Sequence, residues 1–397
     1  MARILCTVPP LIGHLNPALA VAAALEARGH IVAWVVHGDR VGSHLPVAAQ
    51  RYPLGAYDEA VAERYRALRG PESLRYFHEE YMVRMARDSF DALEAALLDF
   101  RPDLLLVDQH MVAGALAARK HGLPWVTLAA TSAALMAAAP QFEDWLRQLL
   151  LHLQEDLLPS ELHRARPDLS PHGVLVFSVR ELAEAAGERA MQPCFYVGPA
   201  GSAARREIEF PWEWLNPNVP AVLATLGTVS RDSEPRFFEV LFDAAAALDI
   251  QVVAVAPEAL AVKAPANVLV QPYVPQPELL QRMAGVVCHA GHNTVCEALA
   301  AGLPLALAPI LGDQPYVARQ VIAAGAGIPL RFGKVSVPVM RAALERLLSD
   351  AVLRTAAQRL AEALHAAPGA AGAADVIETV LAGDPTVAAD AVPASGG

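Results

Sequence analysis

Two α/β domains in tandem, each built on a doubly wound parallel sheet, are the fold class this sequence predicts. Three observations carry that reading. Short, almost continuously apolar runs alternate with helical stretches, the pattern of strands covered by helices on both faces. The series restarts after residue 220. A chain of 397 residues exceeds one ordinary core and suits two domains of usual size.

The first run is "RILCTV" at residues 3–8, followed by "NPALAVAAALEARGH". Here Asn16 suits a helix cap, Pro17 the first helical position and Gly29 the left-handed stop. "IVAWVV" is the next strand, and "DLLLV" (103–107), "PWVTLA" (124–129) and "VLVFSV" (174–179) follow. The second series comprises "AVLATLG", "QVVAVA", "NVLVQPYV", "GVVCHAG", "PLALAPI" and "GIPLRF". Between the two, "PWEWLNPNVP" packs three prolines and two tryptophans into ten residues and reads as a semi-rigid linker. The expected boundaries are a first domain at 1–205, a linker at 206–220 and a second domain at 221–382. The small, polar stretch 383–397 reads as a flexible tail.

Composition removes several function classes. A formal net charge of -11, with no run of Lys and Arg, argues against a nucleic-acid partner, whose phosphates demand clustered cations. Cys6, Cys194, Cys288 and Cys296 form no C-x-x-C pair and are too sparse for a disulfide scaffold, so a reducing, cytoplasmic setting and no zinc site are expected. Pro9, Pro10, Gly13, His14, Asn16 and Pro17 interrupt the N-terminal apolar run and argue against a signal peptide. Residues 121–142 lack Asp, Glu, Lys and Arg, yet Gly122, Pro124 and Pro140 fit a strand, loop and helix better than a membrane span.

Ligands of open α/β sheets bind beyond the carboxyl ends of the strands, near the point where strand order reverses. In the first domain that rule selects "PPLIGHLNP", which places His14 just before Asn16, and the residue after "DLLLV", Asp108. Neighbouring parallel strands about 4.8 Å apart would bring the two together. A carboxylate beside a histidine fixes its tautomer and stabilises the imidazolium formed when the ring takes a proton. A capping or packing histidine beside a turn aspartate is the alternative. In the second domain "GVVCHAGHNTVCEALAAG" reads as strand, tight loop and helix. Gly291 permits the turn, and Asn293 and Thr294 occupy the first helical turn, whose unpaired N–H groups suit a phosphate. His289 would add a chargeable donor, and Glu297, one turn beyond Asn293, an acceptor for ribose hydroxyls. Plain helix capping and an exposed helical acid are the alternatives.

As an ordered set, "YVPQPELL" (273–280), "HAGHNT", Glu297, the "GLP" that follows, and "GDQPYVARQ" (312–320) resemble the GT-B small-molecule glycosyltransferases of the UDP-glycosyltransferase superfamily. The resemblance runs from the first helix to about residue 325 and is most specific in that block. It implies a GT-B fold, two Rossmann-like domains facing across a cleft, and an inverting hexosyl transfer from a nucleotide sugar. His14 then matches the catalytic base and Asp108 its partner. Thr228, in "LGTVS", matches a phosphate-contacting hydroxyl, and Tyr273 a base-stacking position usually held by Trp, with Gln276 nearby. His289, Gly291, Asn293 and Thr294 match the diphosphate loop, Glu297 the ribose ligand, and Asp313 with Gln314 the sugar-contacting pair. His292 stands where plant members carry Trp, so the resemblance gives its side chain no role.

The resemblance further implies a glucose-type donor, UDP-glucose first, a hydrophobic hydroxylated small-molecule acceptor, and neither metal nor cofactor. Carotenoid-like, polyketide, flavonoid and steroid acceptors all fit. Tyr76, Phe77, Tyr81, Met82, Met136, Phe142 and Trp145 are candidates for an apolar acceptor pocket, core packing being their alternative role. A nucleotide-sugar 2-epimerase or a nonenzymatic nucleotide-sugar binder are the rival readings. The epimerase fits the 273–320 block poorly, and the binder has no use for His14 with Asp108.

Overall fold

The computed structural model describes residues 1–55, 57–68, 70–135, 140–187, 194–200, 208–227 and 235–383. They form two compact units, each a parallel sheet between helices. Unit 1 takes in Met1–Val179, Glu188–Ala204 and the C-terminal stretch from Ala367, and unit 2 takes in Arg180–Gly187 and Arg205–Ala366.

The sheet of unit 1 has the order β3-β2-β1-β4-β5-β6-β7. Its strands are β1 (Arg3–Thr7), β2 (Ile31–Val36), β3 (Gln50–Pro53), β4 (Leu104–Asp108), β5 (Trp125–Ala129), β6 (Val174–Val176) and β7 (Phe195–Tyr196). Alternate side chains pack on opposite faces, as the pleat requires. Ile4, Cys6, Leu104 and Leu106 join Leu15, Ala18 and Leu25 on one face, while Leu5, Leu105 and Val107 join Leu93, Phe100 and Leu116 on the other. The helix Val112–Lys120 lies hard against β1 and β4 at Gly114, where a Cβ would stand 2.8 Å from Thr7 Cγ2. Any other residue there would push the helix off the sheet.

Unit 2 repeats the scheme as β10-β9-β8-β11-β12-β13. These strands are β8 (Ala221–Thr225), β9 (Gln251–Val255), β10 (Val268–Gln271), β11 (Gly285–Cys288), β12 (Leu305–Leu307) and β13 (Gly327–Pro329). In both sheets the chain builds outward from its first strand and then returns to that strand's other side. The order therefore reverses between β1 and β4 and between β8 and β11.

Several boundaries depart from the sequence reading. The first helix spans Ile12–Ala27 and is not capped by Asn16, because Leu11 O accepts from both His14 N and Leu15 N and closes a turn before Pro17. Burying Leu15 completely favours that earlier start, and it puts His14 on the helix's first turn. The helix end follows the sequence signal: Gly29 has φ 85°, and His30 N donates to Leu25 O while Gly29 N donates to Glu26 O, the Schellman pattern. The expected linker packs within unit 2, where Gln251 Nε2 donates to Trp214 O and Arg282 lies 4.4 Å from the Trp212 ring centroid. Edge strands β3 and β7 carry no apolar run, so their sequences do not mark them as strands. Among the described residues no helix is long and apolar enough to cross a membrane. All four cysteines are free and buried.

The second domain does not extend to residue 382. The helix Gly369–Leu381 belongs to unit 1, where Ala373, Ala374 and Ile377 are fully buried among Ile4, Leu25 and Val32. Arg28 Nη1 reaches Asp375 and Glu378 at 2.7 Å each, and His30 Nε2 meets Glu378 Oε1 at 2.9 Å. Exposed ion pairs of this kind contribute little, so the buried apolar stripe holds the helix. The expected tail lies outside the described residues apart from Gly383. Ile377→Ala should therefore cost about 2–5 kcal/mol by chemical denaturation. A loss below about 1 kcal/mol would show that the helix does not complete the first core.

Candidate active site

Strands β1 and β4 pair in register, Thr7 opposite Val107, and both end at the switch point of the first sheet. The chain leaving β1 turns through Pro9 and Leu11 into the helix Ile12–Ala27, and Asp108 is the last residue of β4. This brings His14 Nδ1 to 2.7 Å from Asp108 Oδ2. The other carboxylate oxygen accepts from the backbone N–H of His110 at 2.9 Å. Asp108 is 1% exposed and fixed at both oxygens, whereas the His14 side chain keeps 14% of its surface open. An ionised carboxylate accepts and does not donate, so His14 Nδ1 carries the proton and Nε2 carries the lone pair. The arrangement is an oriented base.

His110 is the neighbour that the sequence reading passed over. Its ring centroid lies 4.8 Å from that of His14 and 4.8 Å from that of Phe77, the latter edge-on. Burial, reinforced by nearby His14, pushes its pKa down to about 3, so the ring is neutral. The available signal was its position, "DQH", directly after an apolar strand.

The acceptor candidates divide. Phe77 and Tyr81 stack with centroids 5.2 Å apart, on a seven-residue π-helix spanning Phe77–Val83 whose ring Phe77 reaches His110. Single π turns inside α-helices recur at functional sites. Phe142 and Trp145 pair at 5.4 Å around His78. Met82 is 4% exposed and packs in the core beside Val83, Ala86 and Phe90, so it is not a lining residue. Tyr76 lies under the Arg64 guanidinium. Met136 lies outside the described residues.

In unit 2 the loop after β11 leads into the helix His292–Ala300, with Gly291 as its N-cap residue. Ala290 takes φ 66°, a left-handed conformation rare for a residue with a Cβ. Asn293, Thr294 and Glu297 are partly exposed on one face, while His292, Val295, Cys296 and Leu299 are buried. His292 thus faces the interior, its Nε2 3.4 Å from Cys296 Sγ, which accounts for a side chain the resemblance left without a role. Glu297 is not merely an exposed acid: Gln276 Nε2 donates to its Oε2 at 2.6 Å and fixes the carboxylate. Tyr273 is 58% exposed, an open stacking face.

His289 departs from expectation in charge. It is 9% exposed and lies against Gly227 and Gly291, at each of which a Cβ would strike its ring. Burial pushes its pKa down to about 4 against the opposing pull of Asp313, so it is a neutral hydrogen-bonding ring at pH 7. Gln314 is likewise committed on one side, because its Oε1 accepts from Ile310 N and Leu311 N. Its amide N–H groups and the Asp313 carboxylate are what the pair can offer a sugar. Thr228 lies outside the described residues.

The chain is similar to known glycosyltransferases. The model of the erythromycin biosynthesis protein CIII-like C-terminal domain matches residues 239–380. Demethyllactenocin mycarosyltransferase of Streptomyces fradiae is 29% identical over 96% of this chain and 87% of its own length. The solved structure of the glycotransferase of kitacinnamycin superposes with a TM-score of 0.76 at 23% identity, covering 95% of this chain and 98% of that one. Spinosyn rhamnosyltransferase SpnG, complexed with thymidine diphosphate, gives 0.74 at 20% identity, covering 95% and 100%. The chain is a glycosyltransferase with the GT-B fold, similar over nearly its whole length to enzymes named for natural-product glycosylation.

The neutral, buried His289 makes stability depend on acid. Its unfolded pKa is near 6.5 and its folded value about 4, so between those values the unfolded chain binds the extra proton and stability falls as pH falls. Lowering the pH from 7 to 5 should remove about 2 kcal/mol through this group. Thermal melts of His289→Asn across that range should show a smaller acid loss than the parent. Parallel loss curves would mean that the ring is not held neutral.

Proposed function

We propose that the protein is an inverting, metal-independent hexosyltransferase that moves glucose from a nucleoside diphosphate donor, UDP-glucose first, to a hydroxyl of a hydrophobic small molecule. The observation that carries this reading is the 2.7 Å hydrogen bond between His14 and a buried, doubly anchored Asp108. His14 Nε2 takes the proton of the acceptor hydroxyl, and Asp108 stabilises the resulting imidazolium. The acceptor oxygen bonds to the anomeric carbon as the bond to the diphosphate oxygen breaks on the opposite face. Charge on the leaving diphosphate falls to the N–H groups that open the helix His292–Ala300, with Asn293, Thr294 and the neutral His289 as further partners.

On the donor side Tyr273 serves as the platform for the nucleobase, and Glu297, braced by Gln276, accepts from the ribose hydroxyls. Asp313 accepts from one sugar hydroxyl, and the Gln314 amide donates to another. A sugar lacking one of these hydroxyls leaves a polar group unpaired, at a cost of about 1–3 kcal/mol. Phe77 supplies the apolar ring surface nearest the base for the acceptor, with the buried Tyr81 stacked behind it. A similar solved protein carrying thymidine diphosphate supports a nucleoside diphosphate and makes the nucleobase a variable of the test.

A donor panel with phenolic acceptors, read by mass and then by competition, tests the assignment. UDP-glucose should have the highest specificity constant, ahead of UDP-galactose and dTDP-6-deoxyhexoses. A higher value for a 6-deoxy donor would remove Asp313 and Gln314 as the sugar readers. His14→Ala should lower kcat by about 10²–10⁴-fold while donor affinity stays within a few-fold, as calorimetry would report. Normal turnover would discard His14 as the base. EDTA should leave activity intact, with no fall in rate, and loss of activity restored by magnesium or manganese would overturn the metal-free reading.

A further inference from the structure

We propose that His14, Asp108 and His110 form a three-ligand site for a zinc-type divalent cation, and that occupying it switches transfer off. One ligand atom from each residue can be chosen so that all three lie within 4.8 Å of one another. Two imidazoles and a carboxylate are the donor set that zinc and its transition-metal neighbours prefer. The arrangement already holds two of the three side chains in contact, His14 Nδ1 at 2.7 Å from Asp108 Oδ2. The third contributes a nitrogen with no other use. His110 Nδ1 is buried, lies 4.0 Å from Asp108 Oδ1, and has no hydrogen-bond partner among the described residues.

Leaving a buried ring nitrogen unpaired costs stability, which sets this atom apart from a histidine that packs through satisfied hydrogen bonds. Tetrahedral zinc with bonds of about 2.0–2.2 Å needs ligand atoms about 3.3 Å apart. To reach that geometry the His14 and Asp108 atoms, 2.7 Å apart, would part by about half an ångström, and the His110 nitrogen, 4.0 Å from Asp108, would close in by about an ångström. Bonds then form from the metal to Asp108, to His110 and to His14 Nδ1. The proton that His14 Nδ1 held moves through solvent to Nε2, so the ring stays neutral and its Nε2 no longer offers a lone pair to a substrate hydroxyl. The fourth position stays open to water.

The consequence for transfer follows from the atoms used. With the metal between His14 and Asp108, the carboxylate no longer supports an imidazolium, and a cation now lies where positive charge would have to develop. The inhibition rests on His14 being the base, as proposed above. The metal binding does not. Zinc at trace concentration would be an inhibitor that EDTA relieves, which is compatible with a metal-free catalyst.

The test uses the full chain. Cobalt(II) titration should give the intense visible absorption of a tetrahedral nitrogen and oxygen site, and zinc should displace it and inhibit transfer over the same concentration range. His110→Phe keeps a ring against Phe77 and His14 but removes the nitrogens. It should weaken cobalt and zinc binding about 10-fold or more, with inhibition measured against that variant's own metal-free rate. His110→Cys, which restores a ligand, should recover binding. An unchanged cobalt spectrum and zinc sensitivity in His110→Phe would overturn the site. A His110-dependent spectrum with undiminished transfer would overturn the switch and count against His14 as the base, leaving the metal site standing.

Discussion

Everything proposed for unit 1 depends on β1 and β4 lying side by side at the point where the order of the sheet reverses. Helices leaving adjacent parallel strands at a switch point part to opposite faces, and the side chains at the strand ends are left converging. Asp108 closes β4 there, and the turn after β1 starts a helix early enough to carry His14 back over it. The carboxylate is buried, so it needs partners for both oxygens. It finds them in the His14 ring and the His110 backbone N–H. The same burial that makes the carboxylate costly to leave unpaired is what makes it a rigid orienting group.

Unit 2 uses the same topology for a different end. Between β8 and β11 it offers backbone N–H groups at a helix start, beside a histidine pressed against two glycines. Desolvation keeps that histidine neutral. Any leaving-group charge in such a site is met by oriented dipoles rather than by a full cation. The partly exposed stripe of Asn293, Thr294 and Glu297, with Gln276 bracing the last, faces away from the buried stripe of His292, Val295 and Cys296. One short helix thus divides cleanly into a partly exposed polar face and a packing face.

Much of this was legible in the sequence because central parallel strands, buried on both faces, are written as continuous apolar runs. Every strand adjoining a switch point was of that kind. The edge strand "QRYP" was illegible because it has one neighbour and mostly exposed side chains, and "FY" because two residues make no pattern. The first helix was misread at its start because Asn16 and Pro17 imitate a cap, while burial of Leu15 and a backbone turn at Leu11 decide the matter. The C-terminal helix was assigned to the wrong unit because its small apolar stripe of Ala373, Ala374 and Ile377 fits any core. His289 was read as a chargeable donor because a sequence lists residue types and not the desolvation around them. His110 passed unnoticed for the same reason: its neighbours come from three separate segments.

The most direct measurement of the central claim, that Asp108 acts through His14, is a double-mutant cycle on kcat/KM with His14→Ala, Asp108→Asn and the pair. If the carboxylate serves only to orient and stabilise the imidazole, it has no work left once the ring is gone, and the double variant should be no slower than His14→Ala alone. If Asp108→Asn slows the His14→Ala enzyme by the same factor as it slows the parent, the two residues act independently and the dyad account is contradicted.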